Sequence, residues 1–162
     1  MDLTALFTWL QQTGWATAIR QDETLFPLIE SVHVLAITAV LGTISIVDLR
    51  LIGLTSREQS ISKTMEEVLP LTRVAFLFAA LTGLLLFASH AVDYSHKAPF
   101  IAKMLLLSVA LINIGAFHLI TARGIAAWDR ELEVPLAVKS AGAVSLGLWI
   151  AIVACGRWIG FV

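Results

Sequence analysis

The chain has 162 residues, of which 58% are hydrophobic and only 14% are charged, and its formal net charge is −1. Soluble domains carry about 25% charged residues, so this composition indicates a protein of the lipid bilayer. The balanced charge, without a run of basic residues, argues against nucleic acid as a partner. The single cysteine, Cys155, excludes a disulfide within the chain.

The N-terminal segment 2–22 is predicted to form an amphipathic helix. Its apolar residues recur at helical spacing: Leu3, Leu6, Phe7 and Leu10. Polar residues interrupt the segment too often for it to span a membrane. Two positions are open for such a helix, one lying in the membrane interface and one packed against the end of a helix bundle.

Four apolar runs follow, and each is long enough to cross a bilayer, which takes about 20 residues. The runs cover 28–53, 71–92, 100–121 and 136–158. A proline, which suits the first turn of a helix, stands at or just before the start of each: Pro27, Pro70, Pro99 and Pro135. Short connections place neighbouring helices antiparallel. We therefore expect an all-α membrane protein, an antiparallel four-helix transmembrane bundle preceded by the amphipathic helix, as one domain over 1–162.

The distribution of basic residues predicts the orientation of this bundle. Seven of them flank the first and third connections: Arg50, Arg57, Lys63, Arg73, Arg123, Arg130 and Lys139. Four lie toward the opposite surface: Arg20, Lys97, Lys103 and Arg157. Because basic residues concentrate on the cytoplasmic side, the first and third connections are predicted inside and both termini outside.

Two histidines, His33 and His90, fall within the first and second runs near the predicted outer surface. An ionisable side chain in a transmembrane segment is costly and marks a candidate functional site. At a rise of about 1.5 Å per residue, the two rings are expected at matching depths. The pair therefore predicts a shared ligand.

Haem iron held by both imidazoles is the leading interpretation of this pair. Gly83 lies seven residues before His90, where a small residue would let a porphyrin edge approach the helix. Arg157 arrives at a similar height from the fourth run and would face a propionate. The expected cofactor is one haem b per subunit.

Two alternatives remain open for the same cluster. Glu30 precedes His33 by three residues and Asp93 follows His90 by three, so each carboxylate shares a helix face with its histidine. Four such ligands suit iron, zinc or copper, and predict a metal-binding or metal-transporting protein. The other alternative is that the histidines form hydrogen bonds between helices and coordinate nothing, as in a non-catalytic assembly subunit.

Polar residues also occur near the predicted inner surface. Asp48 and Arg73 are expected to form an ion pair, because a charge at that depth needs a partner. His118 is a candidate ligand for a second haem, completed by a symmetry mate. Its alternatives are a hydrogen bond to Asp48 and a position beside a quinone headgroup.

A small-residue surface on the fourth run predicts close helix packing. It comprises Gly142, Ser145, Gly147 and Ala151. Such a surface serves a homo-oligomer or contacts within one bundle. We expect a homo-oligomer, since four helices enclose a haem only in part.

The residues His33 and His90, with His118 as a third, give the chain a resemblance to small four-helix b-type cytochromes of bacterial membranes. It also resembles small bacterial four-helix membrane proteins of unassigned function, through Glu30-Ser31-Val32-His33 and Asp48-Leu49-Arg50. The resemblance implies a bacterial plasma-membrane protein that transfers electrons between a quinone pool and a redox partner at the outer face.

Overall fold

A computed structural model describes residues 2–55, 60–121 and 134–162, and for Ile120 and Thr121 it describes the backbone alone. All regular structure in these ranges is helical. The helices are α1 (Leu3–Gln11), α2 (Gly14–Gln21), α3 (Leu25–Ile52), α4 (Ile61–Ser89), α5 (Ala91–His96), α6 (Ala98–Ala116) and α7 (Leu136–Trp158). A π-helical turn, Phe117–Thr121, extends α6, and a 3₁₀ turn, Ile159–Phe161, extends α7. With these extensions α3, α4, α6 and α7 are long and apolar enough to cross a membrane.

The N-terminal segment forms two short helices where one was predicted. Thr13 separates them, since its hydroxyl donates to the carbonyl of Leu10 at the end of α1 and its backbone is extended at the start of α2. The Nη1 atom of Arg20 donates to the carbonyls of Gln11 and Ser89, at 3.1 and 3.0 Å. The first bond joins the two short helices, and the second ties the segment to the end of α4, which favours a helix packed against the end of the bundle.

The first long helix, α3, agrees with the predicted run and ends at a glycine. Gly53 has a φ of 90°, which a residue without Cβ adopts at little cost. The amides of Gly53 and Leu54 both bond to the carbonyl of Leu49. This closure satisfies an end carbonyl and turns the chain out of the helix.

The second long helix, α4, begins at Ile61 rather than at the predicted residue 71. The Ser60 hydroxyl accepts a hydrogen bond from the Lys63 amide and caps this earlier start. Ile61 and Met65 are buried, so the added turns gain packing. Pro70 therefore lies inside a helix, and its predicted place at a helix start is wrong. The other three prolines do mark helix starts.

Two clusters of buried side chains show the relative directions of the four long helices. One comprises Val47, Leu51, Ile61, Met65, Phe117 and Val138, and the other Val40, Ile44, Ala75, Ala110, Trp149 and Ile152. From the first cluster to the second, residue numbers fall along α3 and α6 and rise along α4 and α7. We call the part of the bundle from the first cluster up to and including the second the Asp48 half, and the part beyond the second cluster the His33 half.

The helices pack unevenly around the bundle. Helix α3 packs against α4 and α7, and α7 packs against α6, whereas α4 and α6 make few contacts. Gly142 brings α3 and α7 close, because a Cβ there would lie 2.9 Å from the Leu51 Cβ and 3.1 Å from the Asp48 carbonyl oxygen. Part of the predicted small-residue surface is thus used within the bundle. Gly147, which has no neighbouring atom within 4 Å of such a Cβ, faces outward.

Candidate functional site

In the His33 half, the imidazole of His33 lies directly against the backbone of α4. A Cβ on Gly83 would come within 2.9 Å of the His33 Cε1 atom, and Nδ1 of the ring is 2.9 Å from the Thr82 hydroxyl. That hydroxyl also donates to the carbonyl of Phe78. Gly83 does admit a close approach, as the sequence predicts, but the group that occupies the space is the His33 ring.

His90 stands at the break between α4 and α5, where its backbone leaves the helical region (φ −136°, ψ 40°). Its Nδ1 atom is 3.0 Å from the Ser89 hydroxyl, and its ring packs edge-on against Phe26 with centroids 5.3 Å apart. Burial lowers the pKa of His90 from 6.5, and nearby Asp93 partly opposes this effect. Burial also raises the pKa of the neighbouring Tyr94.

The two histidines lie at different levels of the bundle. His90 contacts α3 at Phe26, which is seven residues before His33. His33 contacts α4 at Gly83, which is seven residues before His90. Seven helical residues rise by about 10 Å. One iron requires both ring nitrogens within bonding distance, on opposite faces of a porphyrin. The arrangement does not fit a shared haem, because the expected match in depth is absent and α4 itself covers the His33 ring.

The other residues predicted around this pair are also dispersed. Glu30 and Asp93 are exposed. Arg157 is exposed at the end of α7, with its guanidinium 5.1 Å from the centroid of the Phe161 ring. Within the ranges that the structure describes, no three His, Cys, Asp or Glu side chains come close enough to hold a metal ion. The fold does not assemble the predicted four-ligand metal site.

A cavity of about 270 Å³ lies in the Asp48 half, and all four long helices line it. Its apolar walls include Ile44, Leu51, Met65, Leu69, Phe76, Leu111, Ile114 and Phe117. Its polar lining comprises Asp48, Thr72, Arg73, Asn113, His118, Ser145 and the indole of Trp149. This volume is slightly below that of typical ligand pockets, which is about 300–1,000 Å³.

Two side chains of the lining each have a buried polar atom without a hydrogen-bond partner among the described residues. These atoms are Oδ2 of Asp48 and Nε1 of Trp149, and each residue is only 4% exposed. The Ser145 hydroxyl lies beside the Asp48 carboxyl group, and the Trp149 ring packs edge-on against Phe76. A buried polar group without a partner costs about 1–3 kcal/mol, so such groups are uncommon in native proteins.

The remaining polar residues of the lining include Asn113, His118 and Arg73. Asn113 already donates from Nδ2 to the carbonyl of Ala141, at 3.2 Å. His118 is exposed in the π-helical turn, and its ring packs edge-on against Phe117. π-Helical turns are often found at functional sites. Arg73 is exposed and makes no ion pair with Asp48 within the described residues, so the predicted pair is wrong.

The cavity has its mouth between α4 and α6. Arg73, Leu111 and His118 are the exposed residues of the lining, and they lie on these two helices or on the turn that extends α6. The linings from α3 and α7 are buried or half-buried. Since α4 and α6 make few contacts, the gap between them gives access from the side of the bundle.

Sequence reasoning identified Asp48 and His118 but missed the site that contains them. The signal available was Trp149, the tryptophan farthest from a predicted membrane surface, together with a carboxylate in an apolar run. Neither residue indicates an empty space, because cavity volume depends on how four helices meet. The pattern of one helix does not contain that information.

The fold and this cavity define an all-helical protein whose four longest helices could each cross a membrane and together line a lateral pocket. The chain belongs to DUF6644, a family of unknown function, whose model matches residues 22–162. No curated protein and no solved structure matches it. The family assignment agrees with the resemblance to membrane proteins of unassigned function, and it names no cytochrome.

Proposed function

We propose that this protein is a multi-pass membrane protein that binds a quinone or its quinol in the cavity of the Asp48 half. The observation that carries the proposal is a mostly apolar cavity whose lining includes Asp48 and Trp149, two buried side chains that each have a polar atom without a partner among the described residues. A ligand that supplies their missing hydrogen bonds would remove the cost of burying them.

The shape and position of the cavity favour a ligand that arrives through lipid. A quinone headgroup is a flat apolar ring with polar oxygen atoms on opposite sides, and it dissolves in the bilayer with its tail. The side opening between α4 and α6 would admit the headgroup and leave the tail among lipid chains. A cavity of about 270 Å³ suits a headgroup of one or two rings rather than a porphyrin.

The four long helices are proposed to form an antiparallel bundle across the plasma membrane of a bacterium. Residue numbers that alternately fall and rise between the two buried clusters support this topology. The excess of basic residues at the first and third connections supports placing the Asp48 half toward the cytoplasm and both termini outside. Of those basic residues, Arg57, Arg123 and Arg130 lie outside the described residues.

Electron transfer to a redox partner at the outer face stays a prediction, as does the homo-oligomer. Both were inferred from a haem shared by His33 and His90. The bond from His33 to Thr82 favours the alternative of hydrogen bonding between helices, whereas His90 bonds to the adjacent Ser89. Quinone binding in the Asp48 half does not depend on them.

A cavity-filling variant with a matched control tests the proposal. Ala141 lines the cavity, whereas Ala143 on the same helix is exposed. The proteins are placed in phospholipid nanodiscs, and a short-chain benzoquinone is added. We expect the quinone to quench the tryptophan fluorescence of the wild type and of Ala143→Phe in a saturable manner. For Ala141→Phe, the saturable quenching is expected to disappear. Quenching that is linear in quinone for the wild type, or equal in all three proteins, would refute the proposal.

A further inference from the structure

Stacked aromatic rings bridge the gap between α4 and α6 at the end that belongs to the His33 half. The Phe87 ring of α4 lies face to face with the Phe100 ring of α6, with centroids 5.1 Å apart and an angle of 6° between the planes. Phe7 of α1 packs edge-on against Phe87, and Tyr94 of α5 stacks on Phe100. We call these four rings the aromatic clasp. Each such ring pair contributes about 0.5–1.5 kcal/mol beyond the burial of its area, so the clasp holds α4 and α6 together at this end.

Further side-chain contacts join the helices at the clasp end of the bundle. Lys97, directly before α6, donates from Nζ to the carbonyl of Ile159 in the turn that extends α7, at 3.1 Å. The same ammonium group lies 5.6 Å from the centroid of the Tyr94 ring. The guanidinium of Arg20 bonds to the carbonyl of Ser89 at the end of α4. The clasp is therefore connected to the end of α7 and to the N-terminal segment.

The opposite end of the same gap is built differently. Arg73 at the mouth lies 14 residues before Phe87 on α4, which corresponds to a rise of about 21 Å. Both walls contain an irregular helix near the mouth, since Pro70 lies inside α4 and the π-helical turn Phe117–Thr121 extends α6. Prolines and π-helical turns are the usual points at which helices bend. The two walls therefore have a fixed contact at the clasp and bending points at the mouth.

We infer that the cavity is gated by the separation of α4 from α6 at the mouth, with the aromatic clasp as the fixed end of the movement. The inference rests on the proposed function and adds how the headgroup enters. The cavity volume of about 270 Å³ is slightly below that of typical ligand pockets, which favours walls that move apart on entry. Hinge movements take up their backbone change at a few residues, and Pro70 and the π-helical turn occupy such positions here.

Distances between pairs of nitroxide labels, measured by pulsed electron paramagnetic resonance in phosphatidylcholine nanodiscs, test the inference. Cys155 is replaced by serine, and the labels are attached at exposed positions. The mouth pair is Leu71→Cys on α4 with Ile112→Cys on α6, and the clasp pair is Leu84→Cys with Ile101→Cys. Without quinone, we expect a wider distance distribution for the mouth pair than for the clasp pair. Saturating duroquinone is expected to narrow the distribution of the mouth pair and to leave that of the clasp pair unchanged.

A ring deletion with a matched control tests the clasp itself. Phe100→Ala removes both ring contacts that α6 makes in the clasp, and it is expected to widen the distance distribution of the clasp pair. Phe161→Ala is the control, because this ring contacts Trp158 and Arg157 at the end of α7, outside the clasp. If the distribution widens equally in both variants, or in neither, the clasp does not hold the two helices together.

The outcomes separate this inference from the proposed function. Equally narrow distributions for the two pairs would exclude opening at the mouth, and equally wide ones would exclude a fixed clasp. Saturable quenching of tryptophan fluorescence by duroquinone, measured on the unlabelled protein, reports separately whether the ligand binds. Binding without narrowing of the mouth pair would overturn the gate and leave quinone binding standing. Absence of saturable quenching would refute the proposed function and, with it, the entry of a quinone through this gap.

Discussion

At the scale of single residues, the bundle depends on close contacts that only the smallest side chain allows. The His33 ring occupies the space above Gly83, where a Cβ would be 2.9 Å from Cε1. The sequence indicated that something approaches α4 at this glycine. It did not indicate what, because a histidine of the neighbouring helix and a bound porphyrin require the same absence of a side chain.

Gly83→Ala is expected to destabilise the protein by about 1–3 kcal/mol, since the methyl group displaces the His33 ring and its bond to Thr82. The control is Gly42→Ala on α3, where an added Cβ meets no atom within 4 Å. Alanine is the better helix former, so the control is expected to be neutral or slightly stabilising. Unfolding in mixed detergent micelles measures both, and equal effects would contradict the described contact.

His90 is expected to make stability depend on pH in a defined direction. Burial holds the pKa of the folded-state imidazole below the ordinary 6.5, so the unfolded chain takes up a proton more readily. The neutral ring therefore contributes fully to the free energy of unfolding above about pH 6.5, and this contribution is lost as the pH falls below that value. The difference in unfolding midpoint between the wild type and His90→Gln should shrink from pH 7.5 to pH 5. A constant difference would show that His90 does not titrate between the two states.

At the scale of elements, the helices predicted from hydropathy agree with the structure where an apolar run alone determines their bounds. The runs 28–53 and 136–158 correspond closely to α3 and α7. The run 71–92 missed the first turns of α4, because these turns contain polar residues and are held by Ser60 and by packing of Ile61. The N-terminal break at Thr13 was missed for a similar reason, since one side-chain bond ends α1 there.

The close approach of α3 and α7 makes a prediction about one glycine of α7. Gly142→Ala places a Cβ 2.9 Å from Leu51 Cβ and should separate the two helices, at a cost of about 1–3 kcal/mol. Gly147→Ala, on the outward face of the same helix, should leave the unfolding midpoint unchanged or raise it. If Gly142→Ala is as stable as Gly147→Ala, the helices do not approach as closely as described.

At the scale of the whole molecule, the polar residues predicted near the two ends of the bundle do lie in different halves, but the side chains predicted to meet within each half do not. The sequence supplied the residues of both halves, but depth along a helix is not enough to pair side chains. His33 and His90 contact opposite helices at different levels. Asp48, Trp149 and His118 instead share one cavity, which arises from how the four helices meet.

The separation of the two histidines predicts the absorption spectrum. Because their rings do not face each other, protein purified after expression with ample haem is expected to lack a stoichiometric Soret band. His33→Ala and His90→Ala should then differ from the wild type in stability but not in spectrum. A sharp Soret band that disappears in both variants would establish haem ligation by this pair. It would contradict the placement of the two histidine rings at different levels of the bundle.

The central claim is that the cavity of the Asp48 half holds a quinone or quinol in the membrane. The most direct measurement is the quinone extracted per chain from protein purified in mild detergent, for the wild type, Ala141→Phe and Ala143→Phe. The account predicts close to one molecule per chain for the wild type and Ala143→Phe, and a loss of most of it for Ala141→Phe. A wild type without quinone, or the same amount in all three proteins, would contradict it.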